Sequence, residues 1–140
     1  MAYVKNHNPG KITMDLPKAN YIYELPLLSV GDIHGAVNVS LIFNREMAEN
    51  DLNPYFIQPG YKLNLQKMII FSGGSPVCVQ DAMGNRVNVN TESWPYTFED
   101  ESQRILRQND NTARPYVIEY PDRSQEFYNS SGMIVLISIN

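Results

Sequence analysis

The chain has 140 residues, 43% hydrophobic and 19% charged, with a net charge of −4. That length suits one domain with a substantial core, and the composition is not that of a disordered chain. Lys and Arg are scattered singly except at Arg104 and Arg107, so no phosphate-binding surface and no nucleic-acid partner is expected.

Residues 1–20 read as an irregular lead-in, with Asn8-Pro9-Gly10 as a turn. Tyr21 to Leu28 alternates weakly, and Pro26 lacks a ladder N–H, which favours an edge strand or one entering late. A loop bounded by Gly31 and Gly35 leads into the clearest element, Ala36 to Phe43. There Val37, Val39, Leu41 and Phe43 share one face and Ala36, Asn38 and Ser40 the other, with Ile42 breaking the polar set. Alternate side chains of a strand point to opposite faces, so the valine–leucine–phenylalanine face is expected to be buried. Asn44 to Gly60 reads as a long loop with one helical turn near Arg45 to Glu49, broken by Asn53-Pro54 and Pro59-Gly60.

Tyr61, Leu63 and Leu65 resume the alternation, and its phase breaks at Lys67 to Phe71, the mark of a bulge or of a strand buried on both faces. Val77 to Gln80 and Arg86 to Asn90 form a hairpin around Asp81 to Asn85, where Gly84 or Asn85 supplies a positive φ. Tyr96 to Phe98 and Arg104 to Arg107 are short strands. Tyr116 to Tyr120 and Gln125 to Tyr128 make a second hairpin, and Met133 to Ile139 is the last strand. The expectation is an all-β fold: an antiparallel meander of hairpins forming a sheet or sandwich, about nine or ten strands over a single domain, 21–140.

In order, these phrases resemble the Rhs/YD-repeat family. Leu25-Pro26-Leu27-Leu28 followed by Val39-Ser40-Leu41-Ile42-Phe43-Asn44 is similar to the opening of those proteins. Pro59-Gly60-Tyr61-Lys62-Leu63-Asn64-Leu65 resembles their Gly-x-Gly-Trp-x-Leu-Asn element, and Tyr120 to Phe127 resembles their Asp-Gly hairpin. Gly132 to Asn140 resembles the strand before an Asp-x-x-Gly-Asn turn. Tyr61 replaces the family's Trp, Phe43 its Tyr and Ser124 its Gly, and no Tyr-Asp dipeptide occurs. The resemblance implies a fragment of a larger β-shell that encapsulates or presents a C-terminal polypeptide, in a bacterial, toxin-associated protein that is secreted or at the cell surface. As a fragment it is expected to meet the remainder of a longer parent chain, or to self-associate through Ile134–Ile139, a bare apolar edge.

Chemistry-bearing residues are sparse. Cys78 is the single cysteine, so no intrachain disulfide forms, and no neighbour activates its thiol. Ser29, Asp32 and His34 share a loop region but lack the geometry that defines a triad. His7 has no ligand spacing to His34 or Cys78. Glu99, Asp100 and Glu101 lack the spacing of a calcium loop and read as a solvated turn. No catalytic, cofactor or metal residue is assigned and no enzyme is expected. Trp94 and Tyr96 are the ligand-stacking candidates, in an alternative reading as a β-sandwich carbohydrate- or protein-binding module. Tyr116 and Tyr120 share parity with Ile118 and read as core. Met1 to Gly10 carries no apolar signal-peptide segment, and Met133 to Ile137 is too short to span a bilayer, so no membrane insertion is expected.

Overall fold

The computed structural model describes residues 2–3, 10–15, 19–32, 35–50 and 58–139. Thirteen strands and one short helix occupy them, so the fold is all-β with more strands than the nine or ten expected. Two of the strands lie inside the stretch read as an irregular lead-in. The chain divides into two compact units where the sequence suggests one domain: residues 1–66 with 82–85, and residues 67–81 with 86–140.

The first unit is a five-stranded antiparallel sheet. Its strands are β1 (Ala2–Tyr3), β2 (Lys11–Asp15), β3 (Asn20–Asp32), β4 (Gly35–Asn44) and β5 (Tyr61–Leu63). β3 is interior, with β4 along one edge and β2 and β1 sharing the other. Pro26 is tolerated there because β2 reaches only to Glu24 and β1 starts at Ser29, so no described strand faces it on that edge. A register shift between Pro26 and Leu28 absorbs its irregularity on the other.

The burial of β4 inverts the expectation. Ser40, Ile42 and Asn44 are buried, whereas Val39, Leu41 and Phe43 are half-exposed and Val37 is 53% exposed. The same inversion holds on β5, where Lys62 is fully buried between half-exposed Tyr61 and Leu63. Hydrogen bonds satisfy the covered asparagine, and Asn64 extends the β4 ladder. Asn64 Oδ1 accepts the Ser40 N–H at 3.0 Å, and Asn44 Oδ1 accepts from Asn20 Nδ2 at 3.0 Å. Asn44 Nδ2 donates to the Met83 carbonyl at 2.8 Å. These asparagines also start the helix α1 (Arg45–Asn50). Asn20 Oδ1 accepts the Glu46 N–H and Asn44 Oδ1 the Met47 N–H, two amides that the first helical turn cannot satisfy internally. A buried polar group with its partners in place costs little, so polar residues can occupy the covered face.

The second unit contains β6 (Met68–Ser72), β7 (Ser75–Gln80), β8 (Arg86–Asn90), β9 (Tyr96–Phe98), β10 (Ile105–Gln108), β11 (Tyr116–Glu119), β12 (Gln125–Tyr128) and β13 (Ile134–Ser138), each antiparallel to the next. The expected phase break is a bulge between Ile70 and Phe71. First and last strands then meet. Met68 bridges Met133, the Ile69 N–H donates to the Gly132 carbonyl at 2.7 Å, and the Ile134 N–H to the Lys67 carbonyl at 3.3 Å. The seam depends on Gly132, which has a φ of 88° and where any Cβ would collide with the Ile69 carbonyl. The result is a small eight-stranded barrel whose interior side chains fill it. Ile69, Val79, Leu106, Ile118 and Tyr128, each at most 2% exposed, occupy its centre.

Hairpin ends of the barrel share one device. Asn90, Asp100, Asn111, Asp122 and Asn129 each accept, through a side-chain oxygen, the backbone N–H two residues on. Four of these Asx turns reverse the chain without a glycine, and the one at Asn129 includes Gly132. In the turn after β11 the positive φ falls on Arg123, at 70°, and not on Ser124, where the family pattern has glycine.

Candidate functional site

The barrel interior is zoned along its length. At one end Trp94 stacks on Tyr96 with ring centroids 3.8 Å apart and planes at 7°. Tyr116 lies 6.3 Å from Trp94, and Phe71 lies 5.4 Å from Tyr116. Tyr96 is 7% exposed and belongs to the core, so it is not available to a ligand as the sequence reading proposed. Trp94 is half-buried and uses a ring face on Tyr96. The two residues are brought together, but as a plug. Tyr116 and Tyr120 pack against the core cluster, as their parity suggests.

The other end is polar and centres on Glu126, which is 4% exposed. Its Oε2 pairs with Lys67 Nζ at 2.5 Å, and its Oε1 accepts from the Tyr120 hydroxyl at 2.6 Å and the Tyr128 hydroxyl at 3.2 Å. Burial raises the pKa of Tyr120 above the usual tyrosine range, and the Glu126 carboxylate pushes it further, against a smaller opposing effect of Arg104. Arg104 lies 4.1 Å over the Phe98 ring and reaches Asp100 at 3.3 Å. With its side chain 11% exposed it is a covered residue, while Arg107 pairs with Glu119 at 3.0 Å. Both Glu126 oxygens are engaged, so this cluster ties β11 and β12 to the seam. Sequence reasoning missed it, although Glu126 shares strand parity with Tyr128.

The acidic run is built as a turn. Partial burial of Asp100 opposes ionisation, yet the hydroxyl and amide of Ser102 and the Arg104 guanidinium outweigh it and lower its pKa. Burial raises the pKa of the Cys78 thiol, with Arg86, a neighbour the sequence did not reveal, working the other way. Ser29 and Asp32 lie on β3; His34 and His7 fall outside the described residues. No group of three His, Cys, Asp or Glu side chains able to hold a metal occurs among the described residues. No helix among them is long and apolar enough to cross a membrane.

What remains is surface. In the first sheet, direct cross-strand pairing puts Ile12, Tyr23, Phe43 and Tyr61 in one row, and Leu25, Leu41 and Leu63 in the next. Leu28–Val39 and Val30–Val37 continue the same face, and Met14–Tyr21 begins it. Phe43 holds Tyr61 at 4.9 Å and Tyr21 at 5.6 Å. The face is open: Met14 is 65% exposed, Ile12 64%, Val37 53%, and the central rows are half-buried. Continuous apolar surface of this extent is unusual on a protein that works alone. Compared with known proteins, the chain matches no family model, and neither a curated protein nor a solved structure is similar to it.

Proposed function

We propose that the chain is a non-enzymatic structural module that joins a larger β-rich assembly through the open apolar face of its first sheet. The carrying observation is the pair of rows Ile12/Tyr23/Phe43/Tyr61 and Leu25/Leu41/Leu63, apolar across four strands and only half covered. A sheet with an apolar face needs a second layer against it. Finishing the burial of a half-covered side chain of this size yields about 1 kcal/mol apiece. Docking costs roughly 4–15 kcal/mol, so the face must be used as a whole rather than at one hot spot.

The resemblance to Rhs/YD-repeat proteins supports this reading for the first unit, whose apolar face includes Val37, Val39, Leu41 and Phe43. It supports it less for the second. A wall of ribbons laid side by side needs two open sheet edges, and the seam at Met68–Met133 closes one stretch of them. The second unit is therefore read as a self-contained barrel and not as a stretch of shell wall. The carbohydrate-binding alternative is weakened by Tyr96, which is core, and by Trp94, whose ring is stacked on it.

The test is a pair of lysine substitutions, Ile12→Lys and Val37→Lys, made in the chain as its source cells produce it. Both side chains are already more than half exposed, so the isolated chain should keep its melting temperature. Incorporation into the assembly should fail. Normal incorporation of the double variant would refute the proposal, as would a melting temperature that collapses because the face is internal.

A further inference from the structure

We propose that β2 is a self-complementary edge, along which two copies of the chain join antiparallel about a two-fold axis at Thr13. β2 carries Lys11-Ile12-Thr13-Met14-Asp15 and, among the described residues, pairs with β3 alone. Its register on β3 runs without a shift from Lys11↔Glu24 to Asp15↔Asn20. The Asn44 N–H donates to the Gly60 carbonyl and the Asn64 N–H to the Ser40 carbonyl, so those β4 positions turn their backbone toward β5. Backbone groups alternate sides along a strand, so Phe43 bonds Tyr23, and Ile22 and Glu24 bond Thr13 and Lys11. The N–H and C=O groups of Ile12 and Met14 are left on the outer edge, where an extended chain is the occupant that meets them in register.

The sequence of β2 singles out its own copy as that chain. Outward groups at Ile12 and Met14 allow two-fold registers centred on residue 12, 13 or 14, and the one at Thr13 pairs all five residues of the strand. Ile12 then stands opposite Met14 of the second copy with backbone bonds in both directions, Thr13 opposite Thr13, and Lys11 opposite Asp15. A lysine on an edge ordinarily repels a second copy, but here each lysine position meets an aspartate position, and opposite charges directly across an antiparallel pair are favourable. No proline interrupts the strand. Ile12 and Met14, at 64% and 65%, are more exposed than the rest of the open face. A two-fold axis normal to the sheet keeps both open faces on one side, so the apolar rows continue across the junction. The pairing itself needs no partner on that face. Five residues per copy bury less than the roughly 1,600 Å² of a standard interface, so the dimer is weak and concentration-dependent.

Sedimentation velocity over a wide concentration range tests this with the wild type, Met14→Pro, Lys11→Glu and Asp15→Lys. The wild type should pass from monomer to dimer with rising concentration. Met14→Pro deletes an outward N–H that the monomer does not use, and each charge variant sets like charges opposite each other at both ends of the pair. Each variant, with unchanged far-ultraviolet circular dichroism, should need at least about tenfold more protein to dimerise. An equimolar mixture of Lys11→Glu and Asp15→Lys restores opposite charges at both ends and should dimerise like the wild type, which also shows both variants folded. Amide exchange of the wild type supplies a second measurement: Ile12 and Met14 should slow as dimer forms, while Thr13, bonded to Ile22, keeps its rate. A wild type that is monomeric at every concentration overturns the proposal. So does a dimer that Met14→Pro leaves intact, one whose Ile12 and Met14 amides exchange at the monomer rate, or a mixture that pairs no better than its two components.

Discussion

Replacing Glu126 by alanine removes the acceptor on which three side chains at one barrel end converge. Tyr128 is fully buried and loses its hydrogen bond to a carboxylate, a bond to a charged group worth about 1.5–3 kcal/mol. Tyr120 is half-buried and recovers part of its loss by hydration. Lys67 has 26% of its side chain exposed, so its ammonium can turn outward, and the 3–5 kcal/mol typical of a broken buried pair must be discounted. Together these give a destabilisation of about 3 kcal/mol. Trp94 is the single tryptophan and lies in the barrel, so urea unfolding is followed by its fluorescence. In a double variant, Glu126→Leu with Lys67→Met, the charge is removed from both sides, and stability should return to within about 1 kcal/mol of wild type. A loss below about 1 kcal/mol for Glu126→Ala would refute the reasoning, because the cluster would then be solvated and the barrel end unsealed.

Tyr120→Phe tests the same end through pH. The folded-state pKa of Tyr120 is raised, so its unfolded phenol ionises first, from about pH 10, and stability falls as pH climbs above that value. The phenylalanine variant should show a shallower alkaline decline in urea midpoint and no difference in pH dependence at neutrality. Arg123→Gly relieves a left-handed residue at φ 70° and should raise the urea midpoint by the equivalent of about 1 kcal/mol; a decrease would mean that the arginine side chain matters more than its backbone. Gly132→Ala, at φ 88° with the Ile69 carbonyl in the way, should open the seam and cost about 3 kcal/mol or more by Trp94 fluorescence, with the Ile69 amide losing its exchange protection.

The hairpins were legible because period-2 alternation, Gly84 and the Pro121-Asp122 turn are local signals. The Asx turns were equally readable, since an Asn or Asp stands at the start of each reversal from Asn90 to Asn129. The burial of β4 was not. Parity says which residues share a face, but not which face is covered: Asn20 and Met83, both remote in sequence, satisfy the Asn44 side chain on the covered face. Barrel closure was equally hidden, because it rests on register accumulated over eight strands and on Gly132 admitting the Ile69 N–H. Lys11-Ile12-Thr13-Met14-Asp15 alternates, a five-residue signal for β2 inside the stretch read as a lead-in. Trp94 and Tyr96 read as a ligand-stacking pair in the sequence; that they stack on each other depends on packing.

Carbene footprinting of the chain, free and within the assembly proposed for it, measures the open face directly. Ile12, Met14, Tyr21 and Val37 should be labelled heavily in the free chain and protected on assembly, while Ile42 and Met47, at 0% and 1% exposure, stay unlabelled in both. Equal labelling of the face in both states, or protection already present in the free chain, would contradict the account.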